Sequence, residues 1–193
     1  MELDEYKKYK WFFTSTGKLV VGGKNAGQND DLLKNIKKSG KEYVVMHTSH
    51  PGSPFCVIIS DVNKINKKDI EECAIFCGSF SRAWKEGKKM TEVHIFKASQ
   101  VSKERSMKTG TWRVSGEIQN AKIELSLVLT RQKNILRAVP ENSVSKKDVI
   151  IKICPGKIDK RDMLAKIQLE TDEEMKAEEL LAALPAGGVR VCK

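Results

Sequence analysis

The sequence predicts an α+β fold, a mostly antiparallel sheet with two helices packed on it and a C-terminal amphipathic helix. Short β-branched and aromatic runs recur through residues 9–153, helical apolar spacing is confined there to two stretches, and from Asp159 onward the spacing turns helical. The expected division is one α+β domain over 1–153 and a helical extension with a short tail over 154–193.

Residues 9–22 read as a β-hairpin, two apolar runs around Ser15-Thr16-Gly17. Gly22, Gly23 and Gly27 follow in the manner of a phosphate cradle, but the GxxxxGK[ST] pattern is absent. They lead into a helix over Asp30–Lys38, with Asn29 as N-cap and Gly40 as stop. Its acids Asp30 and Asp31 complement the helix dipole and would repel an anion.

Two short strands, Tyr43–Met46 and Phe55–Ile59, flank His47-Thr-Ser-His-Pro-Gly-Ser-Pro54. In that loop Pro51 and Pro54 fix φ, Gly52 permits φ > 0, and Ser53 offers a hydroxyl and an amide to a polar ligand. Such a loop can also serve only to turn the chain, so residues elsewhere must decide. Asn66 caps the second helix with Asp69 three residues on, and Ile70, Cys73, Ala74, Cys77, Phe80 and Trp84 recur at helical spacing before Gly87. Trp84 is expected in the core rather than as a nucleobase platform. Arg82 and Lys85, near the helix end, suit the macrodipole and can reach outward to phosphate.

Glu92–Phe96, Trp112–Ser115, Lys122–Thr130, Leu136–Val139 and Val149–Ile153 read as further strands, with a basic loop over Lys103–Gly110. A helix over Asp159–Leu184 precedes a last edge strand at Val189–Cys192.

Thirty-five Lys and Arg stand against 25 Asp and Glu, a formal charge of +10, yet residues 159–183 hold eight acids and four bases. A basic body with an acidic terminal helix points to a polyanion partner. No apolar stretch is long enough to span a membrane and the N-terminus lacks a secretory pattern, so a cytoplasmic protein is expected. The five cysteines form no CxxC pair and no even framework, which argues against zinc; Cys73 and Cys77 read as small hydrophobes on a buried helix face.

Several segments together resemble the NFACT-R domain, the RNA-binding module at the C-terminus of ribosome-associated quality-control factors. They are Trp11-Phe-Phe-Thr-Ser-Thr-Gly17, Leu19-Val-Val-Gly-Gly23, Gln28-Asn29, His47, Gly52-Ser53-Pro54, Ala74, Ser81-Arg82-Ala83-Trp84-Lys85, Gln100-Val-Ser-Lys103 and Gly110. The resemblance covers about residues 9–120 and implies an α+β domain that contacts RNA in the ribosome and tRNA setting, with no catalytic residues of its own. The size suggests a stand-alone version of the kind found in archaea. The other regions of the full-length factors find no match in this sequence, so chain elongation at stalled ribosomes is not expected of it.

The expected function is therefore binding of structured RNA, tRNA or rRNA, with the ribosome as a further partner, no membrane, and DNA not favoured. Lys24, Arg82, Lys85, Lys103 and Arg105 would grip phosphate, while His47, Ser53 and Gln100 shape the surface. With few spare aromatics, recognition by shape and phosphate is expected over stacking of single strands. No cofactor, metal or catalytic residue is expected. An enzyme reading would use His47 and His50, with His94 and Asp61, as metal ligands or a base in a nucleic-acid hydrolase or an RNA-modification accessory, but HExxH is absent. A third reading makes the acidic helix a docking element for a ribosomal protein, or a cap that folds back onto the body.

Overall fold

The computed structural model describes residues 5–171 and 173–192. Its first sheet contains β1 (Lys10–Phe13), β2 (Leu19–Gly22), β3 (Val44–Thr48), β4 (Cys56–Ile59), β5 (Met90–Lys97) and β8 (Gln119–Glu124). They lie in the order β1-β2-β4-β3-β5-β8, and every neighbouring pair is antiparallel. Helix α1 (Ala26–Lys38) covers one face and α2 (Lys67–Ser79) the other. The strands therefore carry apolar residues on both faces: Trp11, Val21, Val45 and Val57 meet Leu32, Leu33 and Ile36, while Phe12, Val20, Met46 and Ile58 meet Cys73, Phe76 and Cys77. A small ribbon pairs β6 (Val101–Ser102) with β7 (Arg113–Val114).

A second sheet holds β9 (Leu127–Gln132), β10 (Ile135–Val139), β11 (Ile151–Asp159) and β12 (Gly188–Val191), in the order β10-β9-β11-β12. The strand expected over Lys122–Thr130 is thus two, β8 and β9, and the chain passes between sheets at Leu125–Ser126. Between β9 and β10 the turn is made by Lys133 and Asn134, both at positive φ, which suits a two-residue hairpin. β12 is the expected edge strand. β11 runs unbroken through residues 153 and 154, and a disulfide between Cys154 and Cys192, which cysteine spacing did not suggest, ties it to the chain end beyond β12. Cys56, Cys73 and Cys77 are free and fully buried, and burial pushes the Cys73 thiol well up, which leaves it inert.

Three other expectations change. The first helix starts four residues early: Asn25, not Asn29, is its N-cap and accepts from the Gln28 amide, while Asn29 is buried and accepts from the Phe55 amide at 3.0 Å. The second helix ends at Ser79, and after Phe80 a separate turn, α3 (Arg82–Lys85), is capped by Ser81 on the Ala83 amide. The C-terminal helix is two short ones, α4 (Leu164–Leu169) and α5 (Ala177–Ala183). The Gln168 side chain spans the gap, donating to the Glu173 carbonyl and accepting from the Met175 amide.

These helices fold back as a cap. Ile167, Met175, Leu180 and Ala183 are buried in the core that α2 and the second sheet share. Glu173 and Glu179 both pair with Arg131, and Glu179 also accepts from the Leu136 amide. Those bonds, led by Arg131, hold the Glu179 carboxyl below its usual pKa.

At the other end of the first sheet, Asp69 and Glu72 fix the β1–β2 turn from helix α2. Thr14 and Thr16 donate to Asp69, and the Ser15 amide and hydroxyl donate to Glu72. Asp69 also closes the predicted capping box with Asn66. The free outer edge of β1 is covered by side chains of the second sheet. Gln132 bonds the Phe13 amide and carbonyl, and Arg137 Nε donates to the Trp11 carbonyl.

Candidate nucleic-acid interface

A cleft of about 540 Å³ opens where the His47–Pro54 loop, the start of α1 and the segment Thr109–Trp112 meet, with Lys10, Phe80 and His94 also on its walls. Each border is built by contacts the sequence encodes. The Thr48 amide donates to the Ser53 hydroxyl at 3.0 Å, the Thr48 hydroxyl donates to the His50 carbonyl at 2.7 Å, and the Arg82 amide donates to the Gly52 carbonyl at 2.7 Å. The break between α2 and α3 is therefore what docks the loop. Gly52 needs to be glycine: its φ is +108°, and a Cβ there would lie 2.9 Å from that of Arg82.

Asp30 holds the opposite border. Lys103 Nζ donates to both its oxygens at 2.8 Å, the Trp112 indole N–H at 2.8 Å and the Gly110 amide at 3.0 Å. Lys103 also donates to the carbonyls of Lys108 and Thr111. Burial alone would raise the Asp30 pKa, but the bonds from Lys103, Trp112 and Gly110, with the Lys103 charge, bring it below the usual carboxylate value. The expected repulsion of an anion by Asp30 is thus neutralised inside the protein.

The expected contact residues divide accordingly. Lys24, exposed, and His47 line the cleft, and Arg82, 72% exposed and paired with Glu86 at 2.9 Å, packs on its Gly52 wall. Ser53 also lines it, but is buried, and its hydroxyl, expected to be free for a ligand, accepts from Thr48. Lys85 is exposed on α3 and lies outside the cleft, against Gly187. Lys103, expected on phosphate, is turned inward to Asp30 with a side chain only 16% exposed. Gln100 accepts from the Lys97 amide and donates to the carbonyls of Ser115 and Glu117, so it braces the ribbon. Arg105 is exposed on the connecting loop. Trp84 is fully buried, and its indole donates to the Gly188 carbonyl at 3.1 Å.

His47 stacks on Phe55 at 4.5 Å and is the cross-strand partner of His94. Burial, then His94, lowers its pKa against the effect of the Thr48 carbonyl, 2.7 Å from Nδ1, so the ring is neutral near pH 7. With Nδ1 donating, Nε2 is left as an acceptor, which suits a sugar hydroxyl or base N–H better than a phosphate. Among the described residues no group of three or more His, Cys, Asp or Glu side chains could hold a metal, and Asp61 caps its own turn through the Asn63 amide.

Two residues that sequence reading passed over complete the surroundings. Lys10 lies 4.2 Å from the Phe80 ring, and Arg137 lies 4.7 Å from the Trp11 ring. Each is a cation in an otherwise apolar strand, a signal that a reading of charge runs does not register.

Residues 8–116 match the family described as the NFACT protein RNA binding domain. The chain belongs to the NFACT-R family. The match contains every residue that lines the cleft, and Arg137 lies outside it. The archaeal Rqc2 homolog aRqcH of Methanocaldococcus jannaschii is 29% identical over 97% of this chain and 29% of its own length. The Drosophila melanogaster ribosome quality control complex subunit NEMF homolog is 30% identical over 58% of this chain and 11% of its own. This chain thus spans under a third of the length of either relative. Among solved structures, the C-terminal part of the fibronectin/fibrinogen-binding protein from Streptococcus suis is similar in fold, with a TM-score of 0.51, at 19% identity over 65% of this chain and 47% of that one.

Proposed function

We propose that this chain binds structured RNA of the translation apparatus, tRNA or rRNA, through the face that carries the cleft, in a cytoplasmic ribosome quality-control setting and without catalysis of its own. The observation that carries the reading is a cleft built inside the family's RNA-binding segment with cations on its wall and rim. The relatives, an Rqc2 homolog and a ribosome quality control complex subunit, support the setting. Among the described residues no helix is long and apolar enough to cross a membrane. The division at residue 153 is kept as a functional one: residues 1–153 supply every residue of the cleft, and 154–193 act as an extension that covers the core.

Arg82 and Lys85 test this most simply, because both are exposed and neither holds the core. Arg82→Glu with Lys85→Glu is expected to weaken tRNA binding at low salt by roughly tenfold or more, since two phosphate-seeking charges are reversed, with the melting temperature little changed. Unchanged affinity in a folded double variant would remove these residues from the interface.

A further inference from the structure

Several cations of this molecule have a partner within it. Lys103 has Asp30, Arg131 has Glu173 and Glu179, Lys152 has Glu141, and Lys37 and Lys160 donate to backbone carbonyls. Lys10 and Arg137 depart from this pattern. Among the described residues neither meets a carboxylate: Lys10 rests only against the Phe80 ring, and Arg137 only against Trp11, through its ring and one bond to its carbonyl. Lys24 likewise has no carboxylate partner among the described residues, and with Lys10 it lines the cleft. The three sense one another's charge, for Arg137 acts on both lysines and Lys24 on Lys10.

Bringing three cations together, two of them largely out of water, destabilises a fold unless something neutralises them. The described residues supply no acid here, so a charge brought from outside would neutralise them. Lys10 marks the place: it opens β1 at the cleft, with Trp11 and Phe12 on either side of the sheet, and Arg137, which covers the β1 edge, bonds the carbonyl of the next residue, Trp11. We propose that Lys10, Lys24 and Arg137 form a phosphate-accepting site at the Lys10 end of the cleft, taking a backbone phosphate of the bound RNA. The site deepens the RNA-binding reading and rests on it.

Lys10 carries a signature that an exposed lysine would not. Burial, then Arg137, Lys160 and Lys24, lowers its pKa to about 8, with only Cys56 acting the other way; Arg137 is lowered by burial to about 10. Folding therefore disfavours the protonated form, so removing Lys10 relieves the fold at pH 7, whereas a bound phosphate favours that form. Binding and stability respond to Lys10 with opposite sign.

The experiment compares wild type, Lys10→Met and Lys10→Arg in tRNA titrations at several salt concentrations and at pH 7 and 9, with thermal unfolding alongside. Expected are weaker binding by Lys10→Met, a log–log salt slope shallower by about 1, and a melting temperature at pH 7 equal to or above wild type. Wild type should lose affinity between pH 7 and 9, and Lys10→Arg should not. A folded Lys10→Met with unreduced affinity and slope would overturn the site while leaving RNA binding intact. If Lys10→Met does not fold, the Lys10→Arg profile decides, and a decline equal to wild type would overturn the site. If wild type itself does not bind tRNA at low salt, the RNA reading fails and the site with it.

Discussion

Asp30→Ala is expected to lower the stability of this protein by about 4 kcal/mol and to release the segment that borders the cleft. Asp30 is 6% exposed and receives Lys103, the Trp112 indole and the Gly110 amide at 2.8–3.0 Å. Alanine would strand a largely buried ammonium and an indole N–H, each of which costs more unpaired than a bonded pair contributes. The loss should appear as a lower urea midpoint with little change in slope, and as faster amide exchange over 103–114. Asp30→Asn keeps an acceptor oxygen and should cost less. A loss under about 1 kcal/mol for the alanine variant would show that the pair is replaced by water at little cost.

Asp69→Ala is expected to cost about 3 kcal/mol, with the damage at the other end of the first sheet. Asp69 is fully buried and unites three things: the N-cap of α2 through the Asn66 amide, and the hydroxyls of Thr14 and Thr16 in the β1–β2 turn. Loss of the cap alone costs about 1 kcal/mol, and the two hydroxyl bonds to a charged group add the rest. Burial would raise the Asp69 pKa, but the bonds from Asn66, Thr14 and Thr16, with the Lys18 charge, lower it. Chemical denaturation measures the cost; a Thr14→Val variant as damaging as Asp69→Ala would place the energy in one hydroxyl rather than in the carboxylate.

The sequence revealed elements whose signals are local. The β1–β2 hairpin follows from two apolar runs around a glycine turn, and the Asn66–Asp69 cap from two residues three apart. Where a choice depended on distant partners, the local signal misled. Asn29 has the chemistry of a cap, yet its carbonyl is needed by the Phe55 amide, so Asn25 caps the helix instead. Lys122–Thr130 reads as one strand because apolar residues recur along its whole length, and only the second sheet makes it two. Residues 159–184 keep a helical apolar pattern, but the polar run after Leu169 is bridged by Gln168 rather than by helix; Asp172 lies outside the described residues.

The candidate site was legible to a similar extent. The His47–Pro54 loop and Lys24 were readable from composition and are on the cleft. Lys103 reads as a phosphate contact from its charge, and nothing in its neighbours in sequence shows that Asp30, 73 positions away, takes that charge up. Lys10 is hidden for the reverse reason: a lone lysine among aromatics looks like a strand residue facing water, and only the packing of Phe80 shows that it does not.

Binding of tRNA and of a matched DNA duplex by the purified chain, at about 50 and 200 mM salt, tests the central claim most directly. Preference for tRNA is expected through its shape and 2′-hydroxyls, and six or so phosphate contacts give a log–log salt slope of about −4 to −5. No binding at the lower salt, or equal binding of tRNA and DNA, would contradict the account and assign the cleft to another partner.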